Sequence, residues 1–297
     1  MKTFKCVAWV ILFLLGSSNS WGSTQWVKAA FDKDAFTETK EYLLEYVPPA
    51  QVLSLARPLA DSRLNASNGG RIMGVIRDAL NGNGISSAVA EIRRFESDEL
   101  VDTVVTDYQG RLLSNYLRPG RYQVTVSKES YIGTPQRVVW VERGNDSLSN
   151  ASLTPPVPAG QVRTTLTWTH ETFGAVRDVD SFLLIPGVSG PLGYRDAGSN
   201  YHGAMLDHDD TNWVGPETVT ILEQRQGTYV YYVNNFSDRS DLQALGRSGI
   251  NILIIAGSEI IDEISIPQGT GLTYEVYRII DGEFVITGGY DDTLPTY

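Results

Sequence analysis

Cysteine is almost absent from this chain: Cys6 is the only one, and it lies within the first twenty residues. The remainder therefore offers no disulfide, no thiolate nucleophile and no cysteine metal ligand, which closes the zinc-ribbon and cysteine-hydrolase classes. Histidine is nearly as scarce. His170, His202 and His208 are the full set, and the HExxH spacing of a zinc hydrolase does not occur, because Thr-Phe-Gly-Ala follows His170-Glu171. The three could meet zinc only with help from Asp207 or Asp209, whereas isolated histidines are more often exposed or hydrogen-bonded.

Basic charge is also in deficit. Lys and Arg total 24 against 35 Asp and Glu, a formal net charge of −11 that becomes −13 without Lys2 and Lys5. Nucleic acid is a poor partner for such a surface, and divalent cations or basic partners suit it better. Nucleotide and acyl-transfer signatures are missing. Asn81-Gly82-Asn83-Gly84 is a hairpin-like turn without the helix a phosphate loop needs, and Gly187-Val188-Ser189-Gly190 places its second glycine one position early for a nucleophile elbow.

What is present begins with MKTFKCVAWVILFLLGSSNS, two lysines and an apolar run that gives way to small residues. That is the pattern of a secretory signal peptide over residues 1–20, with an apolar run too short to span a bilayer. The expected product is secreted, periplasmic or at the cell surface, with no transmembrane segment in the mature chain. Residues 21–69 read as a short, partly helical segment: Phe36, Leu43, Leu44 and Val47 recur at helical spacing before Pro48-Pro49.

From Arg71 the apolar period becomes two. Runs such as RIMGVIR, AVAEIRRF, LVDTVVT, RYQVTVS and RVVWVE alternate with glycine-bearing turns, the signature of a β-sandwich over residues 70–155. Gly84, Gly110 and Gly120 fall where turns favour positive φ. A Pro-rich connector at 156–160 separates this unit from a second series of about eight strand-like runs over 161–297, read as a jelly-roll type sandwich. The fold class expected is all-β, two antiparallel sandwiches in tandem.

Two resemblances attach to these segments. IMGVIRD, ISSAVAEI and VTDYQGRLLSNYLRPGRYQVTVSKESYIG, with Gly74, Asp78, Ala88 and the Thr106-Asp107-Tyr108-Gln109-Gly110 step, resemble the carboxypeptidase regulatory-like, or transthyretin-like, seven-stranded module. That resemblance implies a scaffold rather than a reaction. LTWTHETFGAVRDVDSFLLIP, LDHDDTNWVGPETVTI and GTYVYYVNNFSD resemble the YfaP-like C-terminal modules of secreted bacterial proteins, which implies architecture and no settled activity.

Carboxylates carry the chemistry that remains. Asp178 and Asp180 are two apart in a strand-like run and share a face; Asp207 and Asp209 do so if their segment is extended, with Asp210 and Glu217 close by in sequence. Like charges held together invite a hard cation, and calcium takes six to eight oxygen ligands from irregular loops. An EF-hand is excluded, since counting from Asp207 the sixth position is Asn212 and the twelfth Thr218. Two readings stand: a calcium site built from Asp178, Asp180, Asp207, Asp209, Asp210 and Glu217, or turn aspartates that satisfy nearby backbone amides. Trp213 and Tyr201 are the aromatic ligand-binding candidates beside them, suited to a carbohydrate or a protein partner. The expected function is non-catalytic binding or structural work, the alternative a carbohydrate-active enzyme, or its accessory module, using paired aspartates.

Overall fold

The computed structural model describes residues 64–169, 175–211 and 215–293, all within one compact unit, Pro58–Tyr297. The signal-peptide and helical readings of residues 1–63 lie outside the described residues, as do His170 and Trp213. Among the described residues, no helix is long and apolar enough to cross a membrane.

The described chain is all-β. Its first sandwich contains β1 (Arg71–Asp78), β2 (Val89–Arg94), β3 (Leu100–Val105), β4 (Arg111–Leu113), β5 (Gly120–Ser127), β6 (Arg137–Val141), β7 (Asp146–Leu148) and β8 (Ala151–Leu153). One sheet has the order β3-β2-β5-β6; the other is centred on β1, flanked by antiparallel β4 and by parallel β7 and β8. The alternation read from the sequence is visible in β5, where Tyr122, Val124 and Val126 point inward to meet Ile72 and Ile76 of β1. Ladder geometry requires this, because successive side chains of a strand leave opposite faces.

Glycine does two different jobs at the turns. Gly110 has φ +76°, which an L side chain adopts at a cost. Gly84, expected to need positive φ as well, is instead required by close approach: a Cβ there would lie 2.0 Å from the Gln109 carbonyl oxygen.

Among the described residues the second sandwich holds nine strands, in line with the eight or so runs read from the sequence. They are β9 (Val162–Thr167), β10 (Val179–Leu184), β11 (Ala204–His208), β12 (Glu217–Ile221), β13 (Thr228–Asn235), β14 (Asn251–Ala256), β15 (Glu259–Ser265), β16 (Thr273–Ile280) and β17 (Glu283–Asp291), with a one-turn helix α1 (Ala244–Arg247) before β14. They form a four-stranded sheet, β10-β13-β16-β17, and a five-stranded sheet, β11-β12-β9-β14-β15. The core combines Leu166, Val219, Ile252 and Ile254 with the tyrosines Tyr229, Tyr231 and Tyr277. Buried tyrosine hydroxyls find partners, as Tyr277 does with Thr164 Oγ1 at 2.6 Å and Tyr231 with Ser181 Oγ at 2.9 Å.

β9 and β14 are buried on both faces, and the first sandwich explains why. Leu253 and Ile255 point away from the second core and pack with Val157 of the connector and Ile132 of the β5–β6 loop. Arg163 donates to Thr220 Oγ1, Thr154 Oγ1 and the Pro155 carbonyl, and Arg137 reaches across to Asn251 Oδ1 and Glu263 Oε1. The outer face of the five-stranded sheet is thus a fixed joint between the sandwiches.

Candidate functional site

β10 is an edge strand of its sheet, so part of its backbone has no strand partner. Glu217, at the first position of β12, uses that vacancy: its Oε2 accepts the Ser181 N–H at 2.6 Å. Strand alternation places Glu217 on the same face as Val219 and Ile221, so its carboxyl is fully buried. Asp178 and Asp180 flank the same edge. One oxygen from each of Asp178, Asp180 and Glu217 lies within 4.8 Å of the others, the metal-competent acidic group among the described residues, and it contains no histidine.

Burial and mutual repulsion define the electrostatics. Burial, then the charges of Asp209 and Asp210, push the Asp178 carboxyl up to about 6. Burial, then Asp178 and Asp209, push Asp180 up to about 7. Glu217 is driven well above the ordinary carboxylate range by burial and by Asp180 and Asp209. Asp209 is raised mainly by burial, offset in part by the neighbouring Glu217 carboxyl. Each carboxylate thus resists ionisation because its neighbours are carboxylates in a dry place.

The hydrogen-bond inventory makes the same point geometrically. Seven buried side-chain polar atoms lack any partner among the described residues. Five are acceptors: Asp178 Oδ1, Asp180 Oδ2, Asp209 Oδ1, Glu217 Oε1 and Asn234 Oδ1. Asn234 is the cross-strand partner of Asp180 in the β10–β13 ladder, so the two share a face. Orphaned buried acceptors are uncommon and costly in proteins, and five on neighbouring residues demand an explanation.

Asp207 stands apart. A register shift between Leu206 and His208 interrupts the β11–β12 ladder, so the alternation that would put Asp207 and Asp209 on one face is broken. Asp207 instead accepts from Thr220 Oγ1 at 2.5 Å and feels the Arg163 charge, on the joint side of the sheet. Asp210 is buried and acts on three groups, Asp178, Asp209 and Arg77 of β1. Tyr201 packs at the margin of the second core, its ring edge-on to His202 and its hydroxyl 3.4 Å from the Ser189 carbonyl. Asn234 was not anticipated from sequence; the signal was there in YVNN, a polar break at the end of an apolar strand.

No family model matches the chain, and no curated protein matches it. Among solved structures, the chain is similar to the unknown-function protein SAV2460 (TM-score 0.35, 16% identity, covering 46% of this chain and 92% of that one). It is also similar to a candidate carbohydrate-binding protein from Bacteroides uniformis (TM-score 0.25, 11% identity, 69% and 99% covered). A third is BcpA, the major pilin subunit of Bacillus cereus (TM-score 0.26, 11% identity, 68% and 70% covered). The functional reading rests on this chain's own residues.

Proposed function

We propose that this is an exported, non-catalytic binding or structural protein whose second sandwich is stabilised by a calcium ion. Asp178, Asp180 and Glu217 hold the ion, Asp209 and Asn234 supply further oxygens, and Asp210 contributes charge. The scaffold character of the first sandwich and the YfaP-like character of the second belong to the same reading, since both resemblances imply modules without a reaction.

One observation carries the proposal: five orphaned acceptor oxygens on five neighbouring residues, of which Asp180, Glu217 and Asn234 are at least 96% buried. A cation is the partner that satisfies several acceptors at once and removes their repulsion. All five atoms are carboxylate or amide oxygens, the donor set of a hard cation and a poor one for zinc or copper. The turn-aspartate reading describes Asp107, whose Oδ1 accepts from the Gln109 and Arg111 amides, but not these residues. The paired-aspartate hydrolase needs carboxyls that reach a substrate, and burial of Asp180 and Glu217 works against it.

Thermal unfolding in EDTA and in calcium tests the proposal, with Asp180→Asn and Glu217→Gln alongside the wild type. A site present only in the folded state raises the wild-type midpoint with free calcium, and both variants lose that rise. Equal midpoints in EDTA and calcium for the wild type overturn it.

A further inference from the structure

Four consecutive residues, Asp207 to Asp210, meet both the acidic group and the first sandwich. The Asp209 charge acts on Asp178, Asp180 and Glu217, the three carboxylates of the candidate cation site. Its neighbours on either side face the other way. Gly82, in the turn between β1 and β2, lies so close to the His208 ring that a Cβ there would be 2.5 Å from Nε2. Asp210 is buried, and its charge opposes the lowering that burial imposes on the Arg77 guanidinium. Arg77 leaves β1 on the face opposite Ile76, outside the first core, so strand alternation aims it at this contact.

The joint therefore has two parts. One part contains no member of the acidic group: Leu253 and Ile255 pack on Val157 and Ile132, and Arg163 links Thr220 to Thr154 and the Pro155 carbonyl. Asp207 belongs to this part through Thr220 Oγ1. The other part is the edge where His208 and Asp210 meet the β1–β2 turn and Arg77, and it is tied to the acidic group by covalent adjacency. Neighbouring Cα atoms are fixed about 3.8 Å apart, so Asp209 cannot move without carrying His208 and Asp210 with it. With the site empty, Asp178, Asp180 and Glu217 repel Asp209 and strain this edge. A bound cation turns that repulsion into attraction and draws the segment into place.

We infer that calcium at the acidic site fixes the β1–β2 turn of the first sandwich against the second, so that metal occupancy controls how firmly the sandwiches are held at this edge; this rests on the cation reading and adds a regulatory consequence to it. Coupling of this kind is reciprocal, and the first sandwich must in turn strengthen calcium binding. Arg77 is then a positioning residue for the site, acting through Asp210 without touching the ion.

Amide hydrogen exchange of the full chain in EDTA and in calcium tests the coupling, with calorimetric calcium titration of the same sample. The reporters are the Gly82 N–H, bonded to the Asp78 carbonyl at 2.8 Å, and the Asn83 N–H, bonded to Asn81 Oδ1 at 2.9 Å. The Asn68 and Gly69 N–H groups, both bonded to the Asn65 carbonyl beyond the other end of β1, are the internal control. Calcium should slow exchange at Gly82 and Asn83 by about fivefold or more, and change Asn68 and Gly69 far less. Arg77→Met should weaken calcium binding by about fivefold, and Arg77→Lys should recover part of the loss. Calcium binding that leaves the Gly82 and Asn83 amides unchanged overturns the coupling and spares the cation site. Equal slowing in both turns, the mark of global stabilisation alone, overturns it too. So does Arg77→Met binding calcium as tightly as the wild type or more tightly, since Arg77 would then only oppose the charge of the ion. Absence of any calcium heat in the wild type overturns this inference and the cation reading together.

Discussion

Asp102 and Asp180 occupy parallel situations in the two sandwiches, each a buried aspartate, and are treated in opposite ways. Asp102 accepts from the Thr103 and Asn115 amides at 2.9 and 2.8 Å and from Asn115 Nδ2 at 3.1 Å, so the first sandwich satisfies its own carboxylate. Asp180 has Oδ2 unpartnered and stands among Asp178, Asp209 and Glu217. On the proposed reading, the difference separates a structural carboxylate from a cation ligand. Burial alone does not mark a functional acid; burial without partners does.

The largest expected effect sharpens that comparison through calcium. Calcium at a hundredfold excess over its dissociation constant adds about 2.7 kcal/mol to the folded state, which for a chain of this size raises the midpoint by roughly 5–10 °C. Asp180→Asn and Glu217→Gln abolish the rise. In EDTA near neutral pH the same variants melt above the wild type, because each replaces a carboxyl that folding must protonate with an amide that needs no proton. Asp102→Ala leaves the calcium rise intact; if it removed the rise as Asp180→Asn does, the distinction between the two carboxylates would fail.

Acidity gives a second, smaller lever, and its sign is unusual. Asp178 and Asp180 are pushed from 3.8 up to about 6 and about 7, so without metal the folded chain holds protons that the unfolded chain has released. Their contribution to stability is therefore fully present below the unfolded value and is lost as pH rises through about 6 to 7. Melting in EDTA should show the midpoint falling from pH 5 to pH 8 for the wild type, and a flatter profile for Asp180→Asn. Calcium reverses the slope, since protons then compete with the ion. An EDTA profile that rises with pH would mean the cluster is ionised and relaxed in the free protein.

Within the first sandwich, Asp102→Ala is expected to cost about 2 kcal/mol, with or without calcium, because it leaves two backbone N–H groups at Thr103 and Asn115 without their acceptor. Chemical denaturation in both conditions measures it. A calcium-dependent cost would place the two sandwiches in one electrostatic unit.

Much of this molecule could be read from the chain. Alternation in runs such as RYQVTVS marks inward Tyr122, Val124 and Val126 directly, and the connector proline cluster lies between β8 and β9. Turn glycines were legible as turns, yet the reason for Gly84, a carbonyl pressed against its Cα, depends on Gln109 twenty-five positions away. The acidic cluster was legible by pairs. What no local pattern could supply was that the β10 edge faces the start of β12, bringing Glu217 to Asp180, or that Asn234 is paired to Asp180 across a ladder.

The acidic stretch LDHDD offers the finest division and the smallest effect. Sequence periodicity groups Asp207 with Asp209, whereas the register shift after Leu206 turns Asp207 to the joint, where Thr220 and Arg163 receive it. Asp207→Asn should therefore leave the calcium rise untouched and cost at most about 1 kcal/mol, the worth of one side-chain hydrogen bond and a screened charge. Asp209→Asn, two positions on, should diminish the calcium rise. If Asp207→Asn diminished it equally, the two carboxylates would act on one ion, and the bulge would not be the device that sorts them. A single inserted residue in a ladder can thus decide whether a neighbouring aspartate serves the joint or the cation, because it alone reverses which face each side chain occupies.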